Sequence, residues 1–221
     1  METGHQLPPV QGRATLFMIV AAVDIVVMAV ITAGNIWYRY LLADPVRLIG
    51  EPGRLQFLET FWMIVGALHL IGFVVSVILF LVWHHRVRRQ LSLVNPAGVT
   101  YTPGWALAWW FIPIANLFKP FLVVRETWHA SHGHLASEHR AAPLWLLSWW
   151  LTFLIGNTIS AFAQSDLDTA SSLDQVAMGV NFRIVETPLM IVSALFLMWF
   201  VRQTTREMMT LKLMPQVSAF D

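Results

Sequence analysis

The sequence contains no cysteine. Disulfides, thiolate metal sites and a cysteine nucleophile are therefore excluded. Charge is scarce as well: Asp, Glu, Lys and Arg make up 12% of the 221 residues, where an average soluble chain carries about 25%. That leaves too little polar surface to coat a soluble domain. With 57% hydrophobic residues and a mean hydropathy of +0.60, the chain falls in the membrane class. A net charge of +1 gives no footing for nucleic acid, and none is expected as a partner. There is no phosphate loop, no Ser-His-Asp order and no HExxH, so no cofactor and no catalytic residue is implied. Met1 to Gln11 lacks a basic segment, and the apolar run after Arg13 outlasts a signal-peptide core of ~7–15 residues, so it reads as a retained span.

What the chain does have is long apolar runs. Four of them read as membrane spans, at 14–37, 61–83, 144–162 and 177–201. At ~1.5 Å per residue the first covers about 35 Å, enough for a hydrocarbon core of ~30 Å. The second halts at His84-His85-Arg86-Val87-Arg88-Arg89, an orientation signal that can also hold anionic lipid headgroups through Arg86, Arg88 and Arg89. The purely apolar part of the fourth begins only at Thr187-Pro188 and is short of the core thickness. Either Arg183 and Glu186 lie inside the outer part of the membrane, or a break at Thr187-Pro188 separates two helical pieces, with Thr as N-cap and Pro at the first helical position. The 11 Trp suit a membrane protein, because the indole ring with its N–H favours the headgroup zone.

The segment at about 103–134 is of another kind. Trp105 to Phe118 is too apolar for an ordinary loop, and Pro113 and Pro120 would each remove a helical hydrogen bond. Its length suits a re-entrant or interfacial element. Charge agrees. If it does not span, Arg86, Arg88, Arg89, Lys119, Arg125 and Arg140 share one side with Arg202, Arg206 and Lys212, and the acidic loop with Asp166, Asp168 and Asp174 falls on the other. Cytoplasmic loops collect Lys and Arg, so both termini are expected in the cytoplasm. Trp105, Trp109 and Trp110 would anchor this element at the interface, and Asn116 would satisfy backbone groups freed at its turn. Phe121 to about His134 reads as an amphipathic helix with Phe121, Leu122, Val124 and Trp128 on its apolar side. The expected fold is an all-α integral membrane protein: a four-transmembrane-helix bundle plus a re-entrant or in-plane broken helical element on the cytoplasmic side. It forms a single membrane domain over 1–221, with a tail at 202–221.

The run Tyr101-Thr-Pro-Gly-Trp-Ala, then Trp109-Trp110-Phe111-Ile112-Pro113-Ile114-Ala115-Asn116-Leu117, Lys119-Pro120 and Arg125-Glu126-Thr127-Trp128, resembles the signature of a bacterial membrane family known as domain of unknown function 4328. Thr127 stands where Leu is usual. The resemblance covers about Val82 to Phe162 well and the outer spans loosely. It implies a multispan protein of a bacterial cytoplasmic (inner) membrane and carries over no activity.

The candidate site is a set of intramembrane polar residues. Asp24 is the most expensive: a central Asp costs ~2.5–3.5 kcal/mol on the insertion scale, so it should face the bundle interior or water. His69, Asn157 and Glu186, counted from their span ends, fall in one layer about a turn from Asp24. Asp, His, Asn and Glu are the right chemistry for a proton relay or a small cation, and equally for interhelical hydrogen bonds. His129 and His132 share a helical face and are weak metal candidates only, since a zinc site needs three or four ligands. The function expected first is a non-enzymatic scaffold, sensor or accessory subunit. The alternatives are a small oligomeric proton- or cation-linked transporter using that polar layer, and a membrane-embedded lipid-binding protein or enzyme. The expected partners are membrane lipid and a protein partner or second copy of the chain.

Overall fold

The computed structural model describes residues 10–44, 46–47 and 50–217. The N-terminal segment to residue 9, Pro45 of the Asp44-Pro45 turn and tail residues 218–221 lie outside the described residues. Among those described there is no strand, and four helices dominate: α1 (Gln11–Leu42), α2 (Arg54–Val94), α5 (Leu144–Asp168) and α6 (Leu173–Val217). Between α2 and α5 come two short helices, α3 (Pro103–Ala108) and α4 (Lys119–Ser131), and three single 3-10 turns. Each long helix contains one of the apolar runs and extends beyond it. All four are long and apolar enough to cross a membrane, and only 11–28% of their most apolar windows is buried within the chain. Met63, Leu70 and Ile71 on α2, for example, are more than three-fifths exposed. Lipid tails are as apolar as these side chains and can solvate them, which water cannot.

The Thr187-Pro188 break does not occur. α6 runs through both residues, and the Thr187 hydroxyl donates to its own helix at the Arg183 carbonyl, 2.9 Å away, instead of capping a new one. Arg183 and Glu186 are therefore helical residues within the stretch long enough to span.

The chain divides into two compact units. The first comprises the described parts of Met1–Ile19, Ser76–Leu147 and Leu197–Asp221. Its core is aromatic: Trp83 is fully buried and meets Phe200 edge-on at 5.7 Å, and Trp128 stacks on Trp199 at 5.5 Å. Within it the broken element takes shape. Pro103 opens α3 under a Thr102 cap, and Pro120 sits in the first turn of α4, where its missing N–H is no loss. The break therefore extends from Trp109 to Phe118 around Pro113, and Pro120 begins a helix where the sequence suggested a hinge. At this tip Phe111 and Ile114 are 71% and 78% exposed. Trp105 is exposed, whereas Trp109 and Trp110 are half-buried, with Trp110 edge-on to Phe80. The Asn116 amide does not satisfy the turn: its Oδ1 is buried without a hydrogen-bond partner among the described residues.

α4 also turns a different face inward from the one its large side chains suggest. Val123, Val124, Thr127, Ala130 and Ser131 are buried, while Phe121, Leu122 and Trp128 are only partly covered. Small residues at helical spacing permit a closer approach than the bulky set would.

The second unit comprises Val20–Val75 and Ser148–Phe196, the remaining stretches of α1, α2, α5 and α6. Leu41, Leu42, Leu58 and Val180 form its buried cluster, with Tyr38, Trp62, Val176, Ala177 and Ile184 packed around them.

Candidate functional site

In the second unit Asp24 of α1 is 6% exposed and faces α2, as its desolvation cost requires. Its carboxylate lies over Gly72, where a Cβ would stand 2.8 Å from Oδ1. One turn earlier on α2, His69 Nδ1 lies within hydrogen-bond distance of the same oxygen, at 3.0 Å. The two residues are in direct contact, not a turn apart as depth counting gives. Residue counts along separate helices accumulate error at each helix end and ignore tilt.

His69 also lines a partly open cavity of about 590 Å³ walled by α1, α2, α5 and α6 of this unit. Its apolar wall includes Met28, Ile31, Val65 and Val180, and its polar wall includes Asn35, Ser160, Gln164, Arg183, Glu186 and Thr187. Glu186 is 9% exposed, with a carboxylate oxygen 3.6 Å from Arg183 Nη1. The Arg183 guanidinium also donates to Ser160 Oγ at 3.1 Å and Gln164 Oε1 at 2.8 Å, so α5 and α6 are joined by a polar network on one side of the cavity. Arg183 thus bonds across to α5 as well as pairing with Glu186 on its own helix. The polar residues Asn35, Ser160 and Gln164 lie beyond the sequence-level candidate set. Their signal is spacing: Ser160 and Gln164 are one turn apart, as are Asn35 and Tyr38, which also faces the cavity.

Asn157 does not belong to the site. It is exposed, and its amide donates to the Phe153 carbonyl of its own helix at 2.7 Å. Gly156, one residue earlier and ~100° round the helix, is buried, and Asn157 is not among the residues that line the cavity.

The basic run after the second span is also heterogeneous. Arg86 is half-buried and Arg89 exposed, but Arg88 is 1% exposed and not available to a lipid headgroup. Arg88 Nη2 donates to Glu126 at 3.0 Å and to the Tyr101 carbonyl, and the Thr100 N–H donates to the same Glu126 oxygen. His84, one turn earlier, is fully buried and bonds Thr127 Oγ1 through Nε2 at 3.0 Å. Because the Thr127 hydroxyl donates to Val123, it accepts from His84 Nε2–H. Lys119 lies over the rings of Tyr101 and Trp109 at 5.3 and 5.1 Å. The Tyr101-to-Trp128 motif is thus a latch: its Glu126 and Tyr101 carbonyl, bound by Arg88, tie α4 and the entry to α3 back onto α2.

His129 and His132 do not converge. His129 Nε2 donates to the Ala141 carbonyl at 3.1 Å, while His132 Nδ1 bonds the Trp128 carbonyl at 2.7 Å. Among the described residues no three His, Cys, Asp or Glu side chains are grouped to hold a metal ion.

Long lipid-compatible helices around a polar-lined cavity define a polytopic α-helical membrane protein. The chain belongs to the family described as Domain of unknown function (DUF4328), whose model matches residues 49–206 and so includes the latch, α2, α5 and most of α6. Neither a curated protein nor a solved structure matches the chain.

Proposed function

We propose that this protein is a non-enzymatic membrane sensor or accessory subunit that holds a small amphiphilic molecule in the cavity of its second unit. The observation that carries this reading is the cavity itself. Small-molecule sites measure about 300–1,000 Å³ and combine a mainly apolar lining with a few converging polar groups. A volume of about 590 Å³ with Arg183, Glu186, His69 and Asn35 among apolar walls fits that description. A bundle serving only as a scaffold would gain stability by filling the space. Native mass spectrometry of protein released from nanodiscs tests the reading. A small molecule should accompany the wild type and be lost from Val65→Trp, which fills the cavity. Equal occupancy in both would reject it.

The location that goes with this function is a bacterial inner membrane with both termini in the cytoplasm. Supporting it are the chain's four span-length apolar helices and the distribution of Lys and Arg, which gathers Arg86, Arg89, Lys119, Arg125 and Arg140 with Arg202, Arg206 and Lys212. Cysteine labelling at 136–140 checks the orientation, and modification from outside alone would overturn it.

One observation favours a second reading, proton-linked transport. A carboxylate in contact with an imidazole, the imidazole facing a cavity, is a proton-relay arrangement. Proton uptake by proteoliposomes that disappears in Asp24→Asn would favour it. Absence of uptake in the wild type would leave the sensor reading.

A further inference from the structure

A smaller pocket of about 160 Å³ lies in the first unit, walled by α4 and the turns on either side. Arg125 and Arg140 both line it. Arg125 is half-buried and has no ion-pair or hydrogen-bond partner among the described residues, an expensive state for a guanidinium without a counter-charge. Arg140 is aimed by Glu138, whose Oε2 accepts from its Nε at 2.6 Å. The one carboxylate in the wall, Glu126, is already neutralised by Arg88 and the Thr100 N–H. His129 stands near both guanidiniums, and its pKa is held below the usual histidine value first by burial and then by the charges of His134, Arg125 and Arg140. His139, also in the wall, commits Nδ1 to the Ser137 carbonyl and leaves Nε2 free. The pocket therefore has one guanidinium without a counter-charge, Arg125, a second, Arg140, held through Nε by Glu138, and room for one tetrahedral anion.

We propose that this pocket binds a phosphoryl group through Arg125 and Arg140. Guanidinium forks match phosphate oxygens in bidentate fashion, with charge-assisted bonds about twice as strong as neutral ones. The phosphoryl group can belong to an anionic lipid headgroup or to a free phosphate compound, and the chemistry is shared. A fixed anion there would supply the missing counter-charge of Arg125 beside the latch residue Glu126, so its occupancy would reach the Arg88 pair.

The test uses the full-length protein in nanodiscs. In one arm the discs contain phosphatidylglycerol in phosphatidylcholine, and retained phosphatidylglycerol is counted by native mass spectrometry. In the other they are phosphatidylcholine alone and inorganic pyrophosphate is titrated by calorimetry. Retention of phosphatidylglycerol assigns a headgroup, and pyrophosphate binding assigns a free phosphate. In either case Arg125→Gln and Arg140→Gln should each weaken binding by about tenfold, Arg125→Lys should lose less, and Arg206→Gln, exposed and outside the pocket, should match wild type. A wild type that binds neither probe, or an equal loss in Arg206→Gln, overturns the proposal. Thermal midpoints of the variants show that they remain folded.

Discussion

A Cβ on Gly72 would lie 2.8 Å from Oδ1 of Asp24, so the glycine is what allows the carboxylate to rest on α2 and reach His69. Gly72→Ala should gain up to ~1 kcal/mol of helix propensity. Displacing a hydrogen-bonded buried carboxylate costs about 1.5–3 kcal/mol, which wins. The variant should unfold at lower temperature in detergent. Gly66→Ala provides the contrast: nothing lies within 4 Å of its added methyl, so it should match or exceed wild type. Equal behaviour of the two would show that the contact carries no weight.

Glu126→Gln should be among the most damaging single changes. It leaves the Arg88 guanidinium without its counter-charge at 1% exposure, where Nε and Nη1 already have no hydrogen-bond partner among the described residues. Removing one member of a buried pair costs about 3–5 kcal/mol. Replacing both, as Arg88→Met with Glu126→Leu, should recover most of the loss. Arg89→Gln, one residue away and exposed, should stay within about 0.5 kcal/mol of wild type. A denaturation series over the four proteins measures the ordering.

Asn157→Leu should be harmless. The amide bonds only its own helix, and Leu151, Ile155 and Phe162 around α5 are exposed apolar side chains. A leucine there makes that lipid-compatible surface more uniform, so the thermal midpoint should hold or rise, and any molecule retained in the cavity should stay. Loss of that molecule would return Asn157 to the site.

Acid should weaken the first unit in part through His129. Burial, the largest cause, holds its folded-state pKa below the ordinary value of about 6.5. The folded state then takes up a proton less readily than the unfolded chain. The contribution is present above the unfolded pKa and is lost as pH falls from there through the lower folded value. Between pH 7.5 and 5.5 the wild type should lose more thermal stability than His129→Gln, which keeps a donor for the Ala141 carbonyl and does not titrate. Parallel pH profiles would remove His129 from the account.

The four long helices are legible in the sequence because uninterrupted apolar length is a signal that needs no partner. Direction around a helix is a weaker signal, and it is where the reading fails. Arg88 looks like its neighbours Arg86 and Arg89 in a basic run, yet His84, Val87, Arg88 and Leu91 follow the spacing of one buried face. That phase was available; the partner was not, because nothing local to Arg88 points to Glu126, 38 positions later. Asn157 is exposed one position after buried Gly156, a difference that counting depth along the helix does not resolve. Asp24 is legible from cost alone, since a carboxylate that expensive must face something polar, and His69 is near enough in depth to be that group. The cavity is not legible. Apart from His69, Arg183 and Glu186, its polar residues are Ser, Gln, Asn and Thr, which occur throughout helical membrane segments and announce no common void.

The uncovered tip between Trp109 and Phe118 has a practical consequence for handling the protein. Phe111, Ile114 and Leu117 offer no polar surface to an aqueous buffer, so solubilised molecules must keep amphiphile there in addition to the belt around the long helices. As detergent is thinned, this small patch can self-associate while the helices remain fully sheathed. Particle size should therefore rise before any helix unfolds, and a gel-filtration profile would record clustering as though it were a native assembly.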